Sequence, residues 1–160
     1  MAATTFSGPV TSTGGFISGS NSLVSITADA TLTAASHAGR TMVLSVASGA
    51  TLTLPAASGT GNIYKFFVAT TITSNNYIVQ VANGNDTMAG VAIVANDGGD
   101  TASIFETAAD SDTITLNGTT TGGILGGVVE IQDVATNVFS VVSRGAATGS
   151  EATPFSAAVS

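Results

Sequence analysis

Short runs of β-forming residues, each closed by a turn rich in glycine or serine, constrain this chain more than any other feature. The runs are Leu23–Ile26, Ala30–Thr33, Thr41–Val46, Ala50–Leu54, Ile63–Ala69, Tyr77–Ala82, Gly90–Val94, Ala102–Glu106, Asp112–Leu116, Val128–Asp133 and Asn137–Val142. Period-two alternation is plain in Leu52/Leu54, Tyr64/Phe66/Val68 and Ile114/Leu116, with mostly Thr, Lys or other polar residues between them. That period sends one face of a strand into a core and the other outward. Ser48-Gly49, Ser58-Gly59, Asn83-Gly84, Asn117-Gly118 and Gly122-Gly123 supply residues suited to tight turns. No window carries a capped helical stripe at i, i+3, i+4 and i+7. The punctuation predicts an all-β fold: a jelly-roll-like β-sandwich or barrel of about 8–11 short antiparallel strands.

An internal echo points the same way. TLTLPAASGTGNIYKFFVA (51–69) lines up with TITLNGTTTGGILGGVVEI (113–131): an alternating strand, a small-residue turn, then an apolar strand. Two related hairpins suit the double Greek key of a jelly roll, although a chain this rich in Ala, Gly, Ser and Thr also produces such similarity by chance.

The 160 residues are enough for one domain with a real core. Residues 1–20 are small and polar around Pro9 and read as an extended N-terminal arm. Residues 21–144 form the β domain, and 145–160 a tail of similar character to the arm. Only 8% of residues are charged while 44% are hydrophobic, the reverse of a disordered composition. The net charge is −7, and the three cations, Arg40, Lys65 and Arg144, are far apart in sequence. Neutralising phosphates takes clustered Lys and Arg, so neither nucleic acid nor an anionic membrane is an expected partner. With no Cys there is no disulfide framework or thiolate metal site. The start, MAATTFSGPV, lacks a basic region and a continuous apolar run, so no secretory signal is expected. Thr, Ser, Gly and Pro interrupt the uncharged stretch 41–64 at strand spacing, which predicts a soluble protein rather than a spanning helix.

Chemistry-bearing residues are few. His37, the single histidine, sits in AASHAGR beside Arg40. A general base needs an orienting carboxylate and a placed nucleophile, and no G-x-S-x-G elbow is present, so a turn histidine is the preferred reading. NGNDTMAG (83–90) resembles one turn of a glycine-rich calcium repeat, which needs stacked copies to bind. NDGGD (96–100) and DSD (110–112) gather oxygen donors without the EF-hand spacing. Solvated turns are the preferred reading of all three, with a cation at a subunit interface left open as the alternative. No G-x-x-x-x-G-K-[ST] phosphate loop occurs. Tyr64, Tyr77 and the seven Phe could form a sugar-stacking platform, but aromatics alternating along strands are more often core or interface. The expectation is a non-enzyme with no cofactor and no metal.

Several segments together carry a resemblance: FSGPVTSTGGF (6–16), HAGRTMVLSVASGATLTLPAASGTG (37–61), YIVQVANGNDTMAGVAI (77–93), ADSDTITLNGTTTGG (109–123) and ATGSEATPF (147–155). The layout resembles head decoration (cement) proteins of tailed bacteriophages, especially those of marine and cyanobacterial hosts. It runs over nearly the whole chain as a match of pattern and composition, not of an active-site motif. The resemblance implies a β-rich virion protein, often a homotrimer, on the outer capsid surface at three-fold and quasi-three-fold positions. Its partners would be the major capsid protein and itself, and it would be made in the host cytoplasm.

On that reading, candidate capsid-contact residues are Phe6, Pro9, Val10, Phe16 and Ile17, apolar residues in an arm too poor to fold alone, with Phe155 near the other terminus. Two alternatives belong to other classes. One is a glycan-binding fibre or adhesin module presenting Tyr64 or Tyr77. The other is a surface-layer or tube protein that assembles unaided.

Overall fold

The computed structural model describes residues 23–159. Their elements run β1 (Val24–Ile26), β2 (Ala30–Thr31), α1 (Ala34–His37), β3 (Thr41–Leu44), β4 (Ala50–Thr53), β5 (Ile63–Val68), β6 (Tyr77–Gln80), β7 (Thr87–Ala95), β8 (Ala102–Glu106), β9 (Thr113–Leu116), β10 (Val128–Ala135), β11 (Val138–Ala146) and β12 (Phe155–Ser156). The chain is all-β, as its punctuation predicts, and α1 is a single turn. Two sheets form: a seven-stranded one in the order β1-β3-β5-β10-β11-β7-β8, and a five-stranded one in the order β12-β9-β6-β4-β2.

The expected antiparallel pairing is only half correct. Five of the ten strand pairings are parallel: β1 with β3, β3 with β5, β2 with β4, β4 with β6, and β7 with β11. The physical reason lies in the connections. Parallel neighbours need a crossover, because a tight turn can only join antiparallel ones. For the four parallel pairs among β1 to β6 the crossover runs through a strand in the opposite sheet, whereas β7 reaches β11 through β8, β9 and β10. From β1 to β6 the chain alternates between sheets, winding a two-sheet coil in which β1, β3 and β5 stack on one side and β2, β4 and β6 on the other. A jelly roll built of Greek keys is antiparallel throughout this region, so the coil departs from that expectation.

The internal echo also changes meaning. Neither repeat is a hairpin, since β4 lies in the five-stranded sheet and β5 in the seven-stranded one, and β9 and β10 divide in the same way. Each repeat climbs from one sheet to the other through its small-residue turn, and β5 then pairs with β10.

Between the sheets lies one core. The seven-stranded sheet contributes Met42, Leu44, Tyr64, Phe66, Val129, Ile131, Phe139 and Val141; the five-stranded sheet contributes Leu52, Tyr77, Val79, Ile114 and Phe155. These are the alternate residues of each strand, so the period-two pattern is what closes the sandwich. Each fully buried large side chain of this kind stabilises the fold by about 1.5–3 kcal/mol. Tyr77 is fully buried because its hydroxyl is satisfied twice, donating to the Val46 carbonyl at 2.6 Å and accepting from the Val46 N–H at 2.7 Å.

One glycine is dictated by the coil. Gly49, between β3 and β4, has φ +77°, and a Cβ there would fall 2.2 Å from the Asn76 carbonyl oxygen of the next winding. The tail boundary at 144 falls inside β11, and the chain beyond it returns to the five-stranded sheet as β12 beside β9. Residues 1–20, the arm, lie outside the described residues.

Candidate interaction surfaces

His37 ends the single turn α1, where its Nδ1 accepts from the Thr33 N–H at 2.9 Å. The Thr33 hydroxyl accepts in turn from the Ser36 N–H at 3.3 Å. The imidazole therefore closes its own turn, as the sequence reading preferred. Tyr64 and Tyr77 are 2% and 0% exposed, so neither can offer the stacking platform that a glycan-binding module would draw from them.

The oxygen-rich turns bind the chain to itself. Asp86 of NGNDTMAG is buried and its Oδ2 accepts from the Ala57 N–H at 3.0 Å and from the Asn83 side-chain amide at 2.9 Å. In NDGGD, Asn96 Oδ1 takes the Ser103 N–H and hydroxyl, and Asp97 takes the Gly149 N–H. In DSD, buried Asp112 holds the C-terminal segment through the Ala158 and Val159 N–H groups at 2.8 and 3.0 Å. Among the described residues no three His, Cys, Asp or Glu side chains cluster as metal ligands would.

Asp133 is the most elaborate of these staples. Its carboxylate accepts from the Ser58, Gly59 and Thr60 N–H groups at 3.0, 2.7 and 3.0 Å and from the Thr60 hydroxyl at 2.6 Å. Burial alone would raise its pKa, but these four donors outweigh that, and the carboxyl titrates below its ordinary value. Asp112 behaves likewise: burial raises it, and the Ala158, Thr113 and Val159 donors bring it below the ordinary value. Tyr64 is raised, first by burial and then by the Asp133 charge. Sequence reasoning missed Asp133. The available signal was its phase, since it shares the inward side of β10 with Val129 and Ile131.

The outer faces of the two sheets differ in what they expose. The register aligns their outward residues in rows. On the seven-stranded sheet one row runs Ser25, Val43, Phe67, Val128, Arg144, Ile93, Ile104. The next runs Thr41, Lys65, Glu130, Val142, Val91, Glu106. Ile104 is 65% exposed, and Ile93, Val142 and Ile63 on the same face are 39%, 38% and 38% exposed. The charges here balance, Lys65 and Arg144 against Glu130 and Glu106, so two of the three cations of a −7 chain share one face. The corresponding face of the five-stranded sheet is different. Its rows run Thr31, Thr53, Gln80 and Thr51, Ile78, Thr115, the first ending at Thr113, which is buried. Beside them Asp29, Ser48, Asn75 and Asn76 line a polar depression of about 510 Å³.

Of the candidate contact residues, Phe6, Pro9, Val10, Phe16 and Ile17 lie outside the described residues. Phe155 pairs with Ile114 in β9 and is 7% exposed, so its ring is part of the core. Comparison of the chain with protein-family models, curated proteins and solved structures finds no match.

Proposed function

We propose that this chain is a structural protein that works by assembly, decorating the outer surface of a mature phage capsid as a homo-oligomer. The observation that carries the assembly half of this reading is the apolar, charge-balanced outer face of the seven-stranded sheet. Large apolar residues left exposed together on one sheet face, here Ile63, Ile93, Ile104 and Val142, are a mark of protein interfaces. The capsid as partner rests on the sequence resemblance described above.

The mechanism needs no covalent step. An oligomer that binds only the expanded lattice stabilises it by mass action. Once one subunit is seated, the linked subunits meet their own sites at raised effective concentration. The low overall charge suits close packing among neighbours, where a desolvated unpaired charge is costly. The uncharged segment 1–20, with Phe6, Pro9, Val10, Phe16 and Ile17, adds apolar contacts along the capsid subunits.

Co-sedimentation with expanded empty capsids tests the reading. Purified protein should pellet with capsids at a fixed ratio to the capsid subunit, and deletion of residues 1–20 should weaken that binding. Protein that stays in the supernatant, or that polymerises freely without any capsid, contradicts it.

A further inference from the structure

We propose that the outer face of the seven-stranded sheet is where a second copy of this chain docks. The inference deepens the assembly half of the reading above and rests on it, while leaving open which face meets a capsid.

Charge selects the occupant. The chain carries −7 overall, so two copies repel through most of their surfaces. This face is the exception. Its outward ionic residues are Lys65 and Arg144, and Glu130 and Glu106, which sum to zero, and Lys65 stands directly opposite Glu130 in the β5–β10 register. A patch holding both signs in equal number can complement a copy of itself, as an isologous contact requires. An acidic partner gains nothing from it, and a basic partner finds a stronger attraction elsewhere on the molecule. Around the charges stand Phe67, Val91, Ile93, Ile104, Val128 and Val142, apolar residues of the kind that fill the centre of a homo-oligomer interface, with the four charges left to set register.

Size agrees. Seven strands at a spacing of about 4.8 Å make a face roughly 29 Å wide, and its longest strands run roughly 30 Å. Allowing for the shorter strands at one side, two copies would bury roughly 1,200 Å² in total, the lower end of the range for stable specific interfaces. The opposite face of the molecule offers threonine rows that water solvates well, with Asp29 beside them.

The test is sedimentation velocity of the full chain over a wide concentration range, with capsids absent. Wild type should associate reversibly. Val142→Glu, which places an unpaired charge mid-face, should weaken association about 100-fold or more. Ile104→Glu, at a position already 65% exposed and so tolerant of the change, should weaken it in the same direction. Thr53→Glu on the other sheet should leave association unchanged, and circular dichroism should show all three variants folded. A monomeric wild type at every concentration overturns the proposal. So does association unchanged by Val142→Glu and Ile104→Glu in folded protein. Association that appears only after deletion of residues 1–22 also overturns it, because the chain's own N-terminal segment would then occupy the face. Loss of capsid pelleting by Val142→Glu with self-association intact overturns it too, assigning the face to the capsid and sparing the functional reading.

Discussion

The two sheets present alike faces to the core and unlike faces to the outside. Inward, both follow one rule, with Tyr64 and Phe66 of β5 meeting Leu52 of β4, Tyr77 of β6 and Ile114 of β9 in a single cluster. Outward, the seven-stranded sheet shows Phe67, Val128, Ile93 and Val142, whereas the five-stranded sheet shows Thr31, Thr51, Thr53, Gln80 and Thr115. Threonine keeps the β-branched shape a strand prefers while giving water a hydroxyl to bond. Valine and isoleucine keep the shape and give water nothing. The contrast therefore separates two jobs that one alternating pattern can encode: a face at rest in solvent and a face that needs a cover.

The largest effects should come from breaking the inward rule that the sheets share. Phe66→Ala removes a fully buried ring and should cost about 3–5 kcal/mol in chemical denaturation. Its neighbour Phe67 points outward, so Phe67→Ala should cost the monomer under about 1 kcal/mol while weakening self-association. Equal losses at the two positions would dissolve the distinction between faces. Gly49→Ala should follow, at about 3 kcal/mol, because positive φ and the Asn76 backbone both oppose the new methyl group. A thermal melt close to wild type would contradict the tight stacking of the coil.

Asp133→Asn comes next, at about 2 kcal/mol near neutral pH, since a neutral amide receives four donors less well than a carboxylate. The pH dependence has a definite sign. A carboxyl held below its ordinary value in the fold contributes stability above its unfolded pKa of about 4, and loses it as pH falls through the folded value. Wild-type stability should therefore fall below about pH 4, and Asp133→Asn should flatten that acid limb. An acid limb as steep in the variant as in wild type would assign the acid sensitivity elsewhere. The smallest effect belongs to the solvated face, where Thr53→Val should change stability by no more than about 0.5 kcal/mol in either direction.

Much of this architecture was legible as strands and little of it as partners. Each of the eleven β runs read from the sequence overlaps a strand, and Ala102–Glu106 coincides with β8. Period two declares which side of a strand faces inward, but it carries no information about which strand lies alongside. Hence the pattern alone predicts antiparallel strands where β1 to β6 form a parallel coil. The two-residue β12 is too short to alternate, so no pattern marks Phe155 as the core residue it is. Asp133 and the turn it staples lie more than seventy residues apart, a distance no local pattern spans. The apolar outer face did leave a trace. Runs such as GVAIVA (90–95) and VFSVV (138–142) are apolar in both phases, the mark of a strand covered on both sides. In β4 with the residue after it, and in β9, by contrast, TLTL (51–54) and TITL (113–116) alternate cleanly with threonine.

Hydroxyl-radical footprinting of the full chain, compared between dilute and concentrated solution, tests the central claim most directly. Ile78 is an outward apolar residue on the threonine face, so it serves as the internal reference for Ile93, Ile104 and Val142 on the other. The account predicts that labelling of Ile93, Ile104 and Val142 falls on concentration while that of Ile78 holds steady. Protection of Ile78 with continued labelling of those three would contradict it.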